Sequence, residues 1–133
     1  MSLNIKFVSV FGLLMAFISL VSMHYNSEQI PIDDPDMLDL LYRHEKEMNC
    51  RMNSSHIFLI TEVIDAKREL ENGYKYYVDF QFGQTDCLKV DNPDLTDCDT
   101  YTLHLPFYAV IHLFEGESTL ETFRCQIPSL LKL

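Results

Sequence analysis

Ile57-Phe58-Leu59-Ile60-Thr61-Glu62-Val63-Ile64 and Tyr74-Lys75-Tyr76-Tyr77-Val78-Asp79-Phe80-Gln81-Phe82, two runs that meet at Asn72-Gly73, decide how this chain folds. In the second run Tyr74, Tyr76, Val78, Phe80 and Phe82 fall on one side of a pleat, and Lys75, Tyr77, Asp79 and Gln81 on the other. That is a strand with one buried face. The first run is dense in β-branched and aromatic side chains, and Asn-Gly tolerates the positive φ that a two-residue hairpin loop needs. The stretch Ile57 to Cys87 therefore reads as a long antiparallel hairpin whose tip is Glu69-Leu70-Glu71-Asn72-Gly73.

Working outward, 133 residues allow one domain with a real core. Met1 to Met23 carries Lys6 ahead of an apolar run from Phe7 to Val21, the layout of a secretory signal over residues 1–22. An uncleaved signal anchor is the alternative; the short apolar run favours cleavage. No second long apolar run exists, so no membrane attachment is expected after cleavage. A formal charge of −10 disfavours nucleic acid, which requires clustered Lys and Arg, and disfavours an anionic membrane surface. In an oxidising compartment the four cysteines should pair rather than bind metal. Cys87 and Cys98 flank a polar loop with Asp91-Asn92-Pro93-Asp94 turn chemistry, so a bridge between them is expected. The fate of Cys50 and Cys125 stays open.

Residues 23–34 lack periodicity and read as a flexible leader before a domain over 35–133. Asp34-Pro35 is a helix start, and Met37, Leu38, Leu41, Tyr42 and Met48 form the apolar side of one amphipathic helix to about Asn49. Asn53-Ser54-Ser55 is an N-glycosylation sequon in the link that follows. Leu103 to Phe114 is another strand, in which Pro106 marks a bulge or an edge, and Gly116 leads into a last strand over Thr119 to Ile127. The architecture expected is α+β: one helix across an antiparallel sheet of four or five strands.

Enzyme chemistry is missing from this pattern. The five histidines share no ligand spacing, no glycine-rich phosphate loop occurs, and no Cys/His pair stands out. Glu69 and Glu71 at a hairpin tip would be solvated carboxylates rather than an acid–base pair. Neither a metal nor a cofactor is expected.

The order of parts resembles that of the secreted type 2 cystatins. Glu47-Met48-Asn49 is similar to the family's Glu-Tyr-Asn at the helix end, and Gly73 to Phe80 to the strand after its first hairpin. Phe82-Gly83-Gln84-Thr85-Asp86-Cys87 resembles Leu-Gly-Arg-Thr-x-Cys, and Asn92 to Cys98 the segment that follows it. Phe107-Tyr108-Ala109-Val110 and Cys125 extend the likeness, which covers Asp34 to Ile127. The resemblance implies an inhibitor of papain-like cysteine peptidases that inserts a leader glycine, a Gln-x-Val-x-Gly hairpin and a Pro-Trp hairpin into the active-site cleft.

All three segments depart from that pattern. The leader has no glycine, the first hairpin keeps only Gly73, and Leu113 to Ser118 has neither proline nor tryptophan. Glu69 and Glu71 stand where the family keeps glutamine and valine, and a carboxylate desolvated in a cleft without a partner costs several kcal/mol. The resemblance also implies a partner for Cys125 near Leu103, which is absent. Cys50 and Cys125 therefore either pair with each other or remain free to crosslink chains. In relatives that inhibit asparaginyl endopeptidase an asparagine acts in the link after the helix; Asn53 occupies that place, and a glycan there would block it. The function expected is a secreted binding protein, non-inhibitory or weakly inhibitory, like the reproductive-tract branch that lacks these motifs. The alternative is a cysteine-peptidase inhibitor of unusual specificity, directed at a cathepsin or asparaginyl endopeptidase. Partners would be a cysteine protease or another extracellular protein, with self-association through the Leu103 to Phe114 strand and the spare cysteines.

Overall fold

The computed structural model describes residues 27–127; the expected signal segment lies outside them. Five strands form one antiparallel meander in sequence order: β1 Ser27–Gln29, β2 His56–Leu70, β3 Tyr74–Leu88, β4 Thr100–Phe114 and β5 Glu117–Cys125. Two helical segments, α1 Pro35–Arg43 and α2 Glu45–Arg51, cross between β1 and β2 in the chain and cover one face. Asp34 caps α1 by accepting the Met37 amide at 3.0 Å, with Pro35 in the first turn. Among the described residues no helix is long and apolar enough to cross a membrane.

The alternation read in β3 is the centre of the core. Tyr76, Val78, Phe80 and Phe82 are buried, whereas Tyr74 at the start of the strand is exposed. They meet Leu105, Phe107, Ala109 and Ile111 of β4 and Met37, Leu40, Leu41 and Met48 of the helices. Phe58, Phe80, Phe82, Phe107 and Phe123 pack as an aromatic cluster with centroid separations of 4.8 to 6.2 Å. In β2 the buried side chains are Phe58, Ile60, Val63 and Ala66. Their spacing slips because the β2–β3 register shifts between Ile60 and Glu62 and again between Val63 and Asp65.

The helix expected as one piece is interrupted at His44. Its buried imidazole turns inward, 2.9 Å from Glu47 Oε2 and 2.8 Å from Ser118 Oγ of β5, and the chain resumes as α2. Leu40 and His44 take the inward positions, while Tyr42, read as apolar-face, points to solvent. The leader also differs from expectation. Ser27–Gln29 pairs with Glu69, Arg68 and Lys67 of β2, and the Ile30 amide donates to the Ala66 carbonyl at 3.0 Å. The open edge of β2 supplies the backbone partners, Arg68 grips Glu28, and a three-residue strand is too short to show periodicity.

Below β1 the edge of β2 is closed by side chains. Asn49 accepts from the Phe58 amide at 2.7 Å and donates to the Phe58 carbonyl at 2.8 Å, while Glu45 accepts from the Ile60 amide at 2.9 Å. An i,i+4 pair on α2 thus takes the place of a neighbouring strand. Lys89 in turn donates to the Asn49 and Met52 carbonyls at the end of α2.

The Leu103 to Phe114 run lies between β3 and β5, but β5 pairs only with Phe107 to Phe114, so Leu103 to Leu105 have no strand partner on that side among the described residues. Pro106 sits just past the reach of β5, whose last partner pair is Phe107 with Cys125. Its carbonyl accepts from Gln126 on that side, so its missing N–H faces a place where no ladder bond is needed.

Candidate functional site

Antiparallel pairing carries three segments to one end of the sheet. Ser27 lies opposite Glu69, Leu70 opposite Tyr74, Tyr74 opposite Leu113, and Phe114 opposite Glu117. The start of β1, the β2–β3 turn and the β4–β5 turn therefore share an edge. The first turn holds three residues, Glu71 to Gly73, rather than the two expected, with positive φ at Asn72 and Gly73. Gly73 is required by its surroundings as well as by its φ of +95°. A Cβ there would lie 2.1 Å from the Leu113 carbonyl oxygen, so β4 presses directly on the turn. The two-residue loop occurs instead in the second hairpin, at Glu115-Gly116, both with positive φ.

The residues singled out in the first hairpin are distributed over this edge. The half-buried Glu69 accepts from the Tyr77 hydroxyl at 2.7 Å, a bond that, with desolvation, pushes the tyrosine's pKa well above its ordinary value. Glu71 is exposed at the turn, 3.6 Å from Lys75, whose ammonium also lies 3.3 Å from Glu121 of β5; these carboxylates, Glu121 first, raise the lysine's pKa. Glu115 and Glu117 add exposed carboxylates at the second turn.

Three large apolar side chains stand among these charges: Leu70, named with the tip, Tyr74, read as a residue of the buried face, and Phe114, read only as the end of a strand. Leu70 is 66% exposed, Tyr74 40% and Phe114 48%. Leu70 and Tyr74 share the helix side of the sheet, with Arg68 stacked 4.9 Å over the Tyr74 ring, and Phe114 projects from the other side. Leu113 and Phe114 stand immediately before the second turn, which was the available signal. His112, read as an ordinary surface histidine, holds the first turn: its Nε2 lies 3.0 Å from the Glu71 carbonyl and 2.8 Å from that of Asn72.

The opposite end of the sheet carries the remaining residues of interest. Cys87 and Cys98 form a disulfide that closes the loop between β3 and β4. Cys50 is free and exposed, in a groove of about 280 Å³ between α2 and that loop, and Cys125 is free and buried. Asn53 is exposed in the link between α2 and β2. Among the described residues no group of His, Cys, Asp and Glu is arranged to hold a metal ion.

A family model described as the cystatin domain matches residues 27–105, from β1 into β4. The chain belongs to the cystatin family. It is similar to T-kininogen 2 of Rattus norvegicus, 31% identical over 108 residues that cover 78% of this chain and 25% of the relative. The chain thus spans about a quarter of that relative's length. Among solved structures, dimeric human cystatin F matches with a TM-score of 0.66 at 22% identity over 75% of this chain and 85% of the other. Mouse fetuin-B, in complex with crayfish astacin, matches with a TM-score of 0.67 at 15% identity over 75% and 34%. At these identities the structural likeness establishes the cystatin fold. Cystatin-superfamily proteins are protease inhibitors rather than enzymes, in agreement with the absence of catalytic patterning in the sequence.

Proposed function

We propose that this cystatin is a secreted protein that engages another extracellular protein through the hairpin end of its sheet and inhibits papain-like cysteine peptidases weakly or not at all. The observation that carries this reading is the crowding of Glu69, Glu71, Glu115 and Glu117 at that edge around Leu70, Tyr74 and Phe114. Seating the edge in a narrow cleft would strip water from carboxylates of which, among the described residues, Glu71 alone contacts a cation, the Lys75 that it shares with Glu121. A surface that mixes exposed aromatics with charge is suited to a protein interface. The complex of mouse fetuin-B with crayfish astacin supports a peptidase as one class of partner. Titration against a panel of cathepsins tests the reading; sub-micromolar inhibition would overturn it.

The second reading, inhibition of a peptidase with an unusual cleft, is favoured by the exposed Leu70 and Phe114, which supply the apolar contact that an acidic edge alone lacks. At the far end, the exposed Asn53 serves as a glycan acceptor rather than as bait for asparaginyl endopeptidase, and mass spectrometry showing an unmodified asparagine would reverse that assignment. Any crosslink between copies runs through Cys50, since Cys125 is buried; size-exclusion chromatography with and without reductant detects it.

A further inference from the structure

The first turn is held by a single side chain from another strand, and that side chain is titratable. The two groups that His112 Nε2 faces, the carbonyls of Glu71 and Asn72, can only accept hydrogen bonds, so the ring proton resides on Nε2 and is shared between them. Nδ1 of the neutral ring is then bare. It lies 3.4 Å from Glu121 Oε1, two acceptors face to face with no proton between them. Every element packed around the ring contributes: Lys75 is its cross-strand neighbour on β3 and Thr119 on β5, Phe114 stacks at 6.2 Å, and Glu71 closes the cluster from the turn. Lys75 bridges Glu71 and Glu121, so the neutral-histidine cluster holds two carboxylates against one ammonium. A second imidazole proton supplies the missing Nδ1–H···Oε1 bond and balances the charge.

We propose that His112 is the positioning residue of the binding edge, and that its protonation in mildly acidic fluid fastens the Glu71–Gly73 turn to β4 and β5 in the conformation offered to a partner. This rests on the reading of the hairpin end as the binding surface, but the device itself belongs to the free protein. An imidazole gains its second proton as pH falls, so the hold on the turn strengthens toward lower pH. Glu121 is the acceptor that faces Nδ1, so it is the partner through which the added proton would act.

The test uses the whole free protein and reads the Glu71 amide, which donates to the Gly73 carbonyl at 3.0 Å inside the turn. Hydrogen exchange at that amide, corrected for its intrinsic pH dependence, should slow about threefold from pH 7.5 to 5.5, within the range that exposed ion pairs support. His112→Gln, which keeps a donor for the two carbonyls without a titratable ring, should protect the amide equally at both pH values. Glu121→Gln should lose the pH step while retaining the protection seen at pH 7.5. Equal wild-type protection at both pH values, or an undiminished pH step in Glu121→Gln, overturns the proposal. Neither result bears on inhibition of a peptidase, so the two readings fail separately.

Discussion

Replacing Gly73 by alanine tests whether the two hairpins are pressed together as closely as the structure places them. The new Cβ would fall 2.1 Å from the Leu113 carbonyl oxygen and 3.2 Å from Phe114 Cα, so either the turn or the end of β4 must move by about 1 Å to reach ordinary contact. Two costs add. Holding a non-glycine residue at positive φ costs about 1–2 kcal/mol, and overpacking against backbone costs about 1–3 kcal/mol more. A loss of about 2–5 kcal/mol corresponds to a fall in melting temperature of roughly 10–25 °C for a domain near this size. Gly116→Ala is the internal control: its φ is also positive, at +81°, but nothing lies within 4 Å of the added atom. It should show the backbone cost alone. Thermal melts of the two variants beside the wild type give the answer, with tip amide shifts confirming that Gly73→Ala displaces the end of β4. Equal losses at the two glycines would refute the close approach of turn and strand.

Other perturbations follow from the closure of β2. Asn49→Ala removes both partners of the buried Phe58 backbone and should cost about 2–4 kcal/mol in urea denaturation, the penalty for two unsatisfied polar groups; a loss below about 1 kcal/mol would mean that water replaces the side chain. Glu45 has a pKa raised first by burial, against the opposing hydrogen bond from the Ile60 amide. Its folded-state pKa lies above the unfolded one, so its contribution to stability is complete below the unfolded value near 4.5 and is lost as pH rises through the folded value. Glu45→Gln keeps an acceptor for Ile60 and should gain stability relative to wild type between pH 4 and 7; a difference that stays flat over that interval refutes the assignment.

How much of this was legible in the sequence depended on how straight each element is. β3 runs between two neighbours through the core, and its alternation from Tyr76 to Phe82 translated directly into burial. β2 has three register shifts, two of them between Ile60 and Asp65, so Phe58, Ile60, Val63 and Ala66 share a face at a spacing that a period of two does not describe. The break at His44 carries neither proline nor glycine; it follows from bonds to Glu47 and Ser118, the latter distant in sequence. Asn72-Gly73 announced a turn but not its length, because Leu113 presses against it from another strand. At the candidate site the charges of Glu69 and Glu71 could be read in place. The roles of Tyr74, His112 and Phe114 depend on cross-strand register, which no local pattern encodes.

The most direct test is an inhibition titration of the purified protein against papain-like cathepsins, run beside a variant carrying Glu69→Gln and Glu71→Val. An acidic edge that resists burial predicts no sub-micromolar inhibition by the wild type and at least about tenfold stronger binding by the variant, equivalent to 1.4 kcal/mol of relieved desolvation. Sub-micromolar inhibition by the wild type, unimproved when both glutamates are removed, would contradict it.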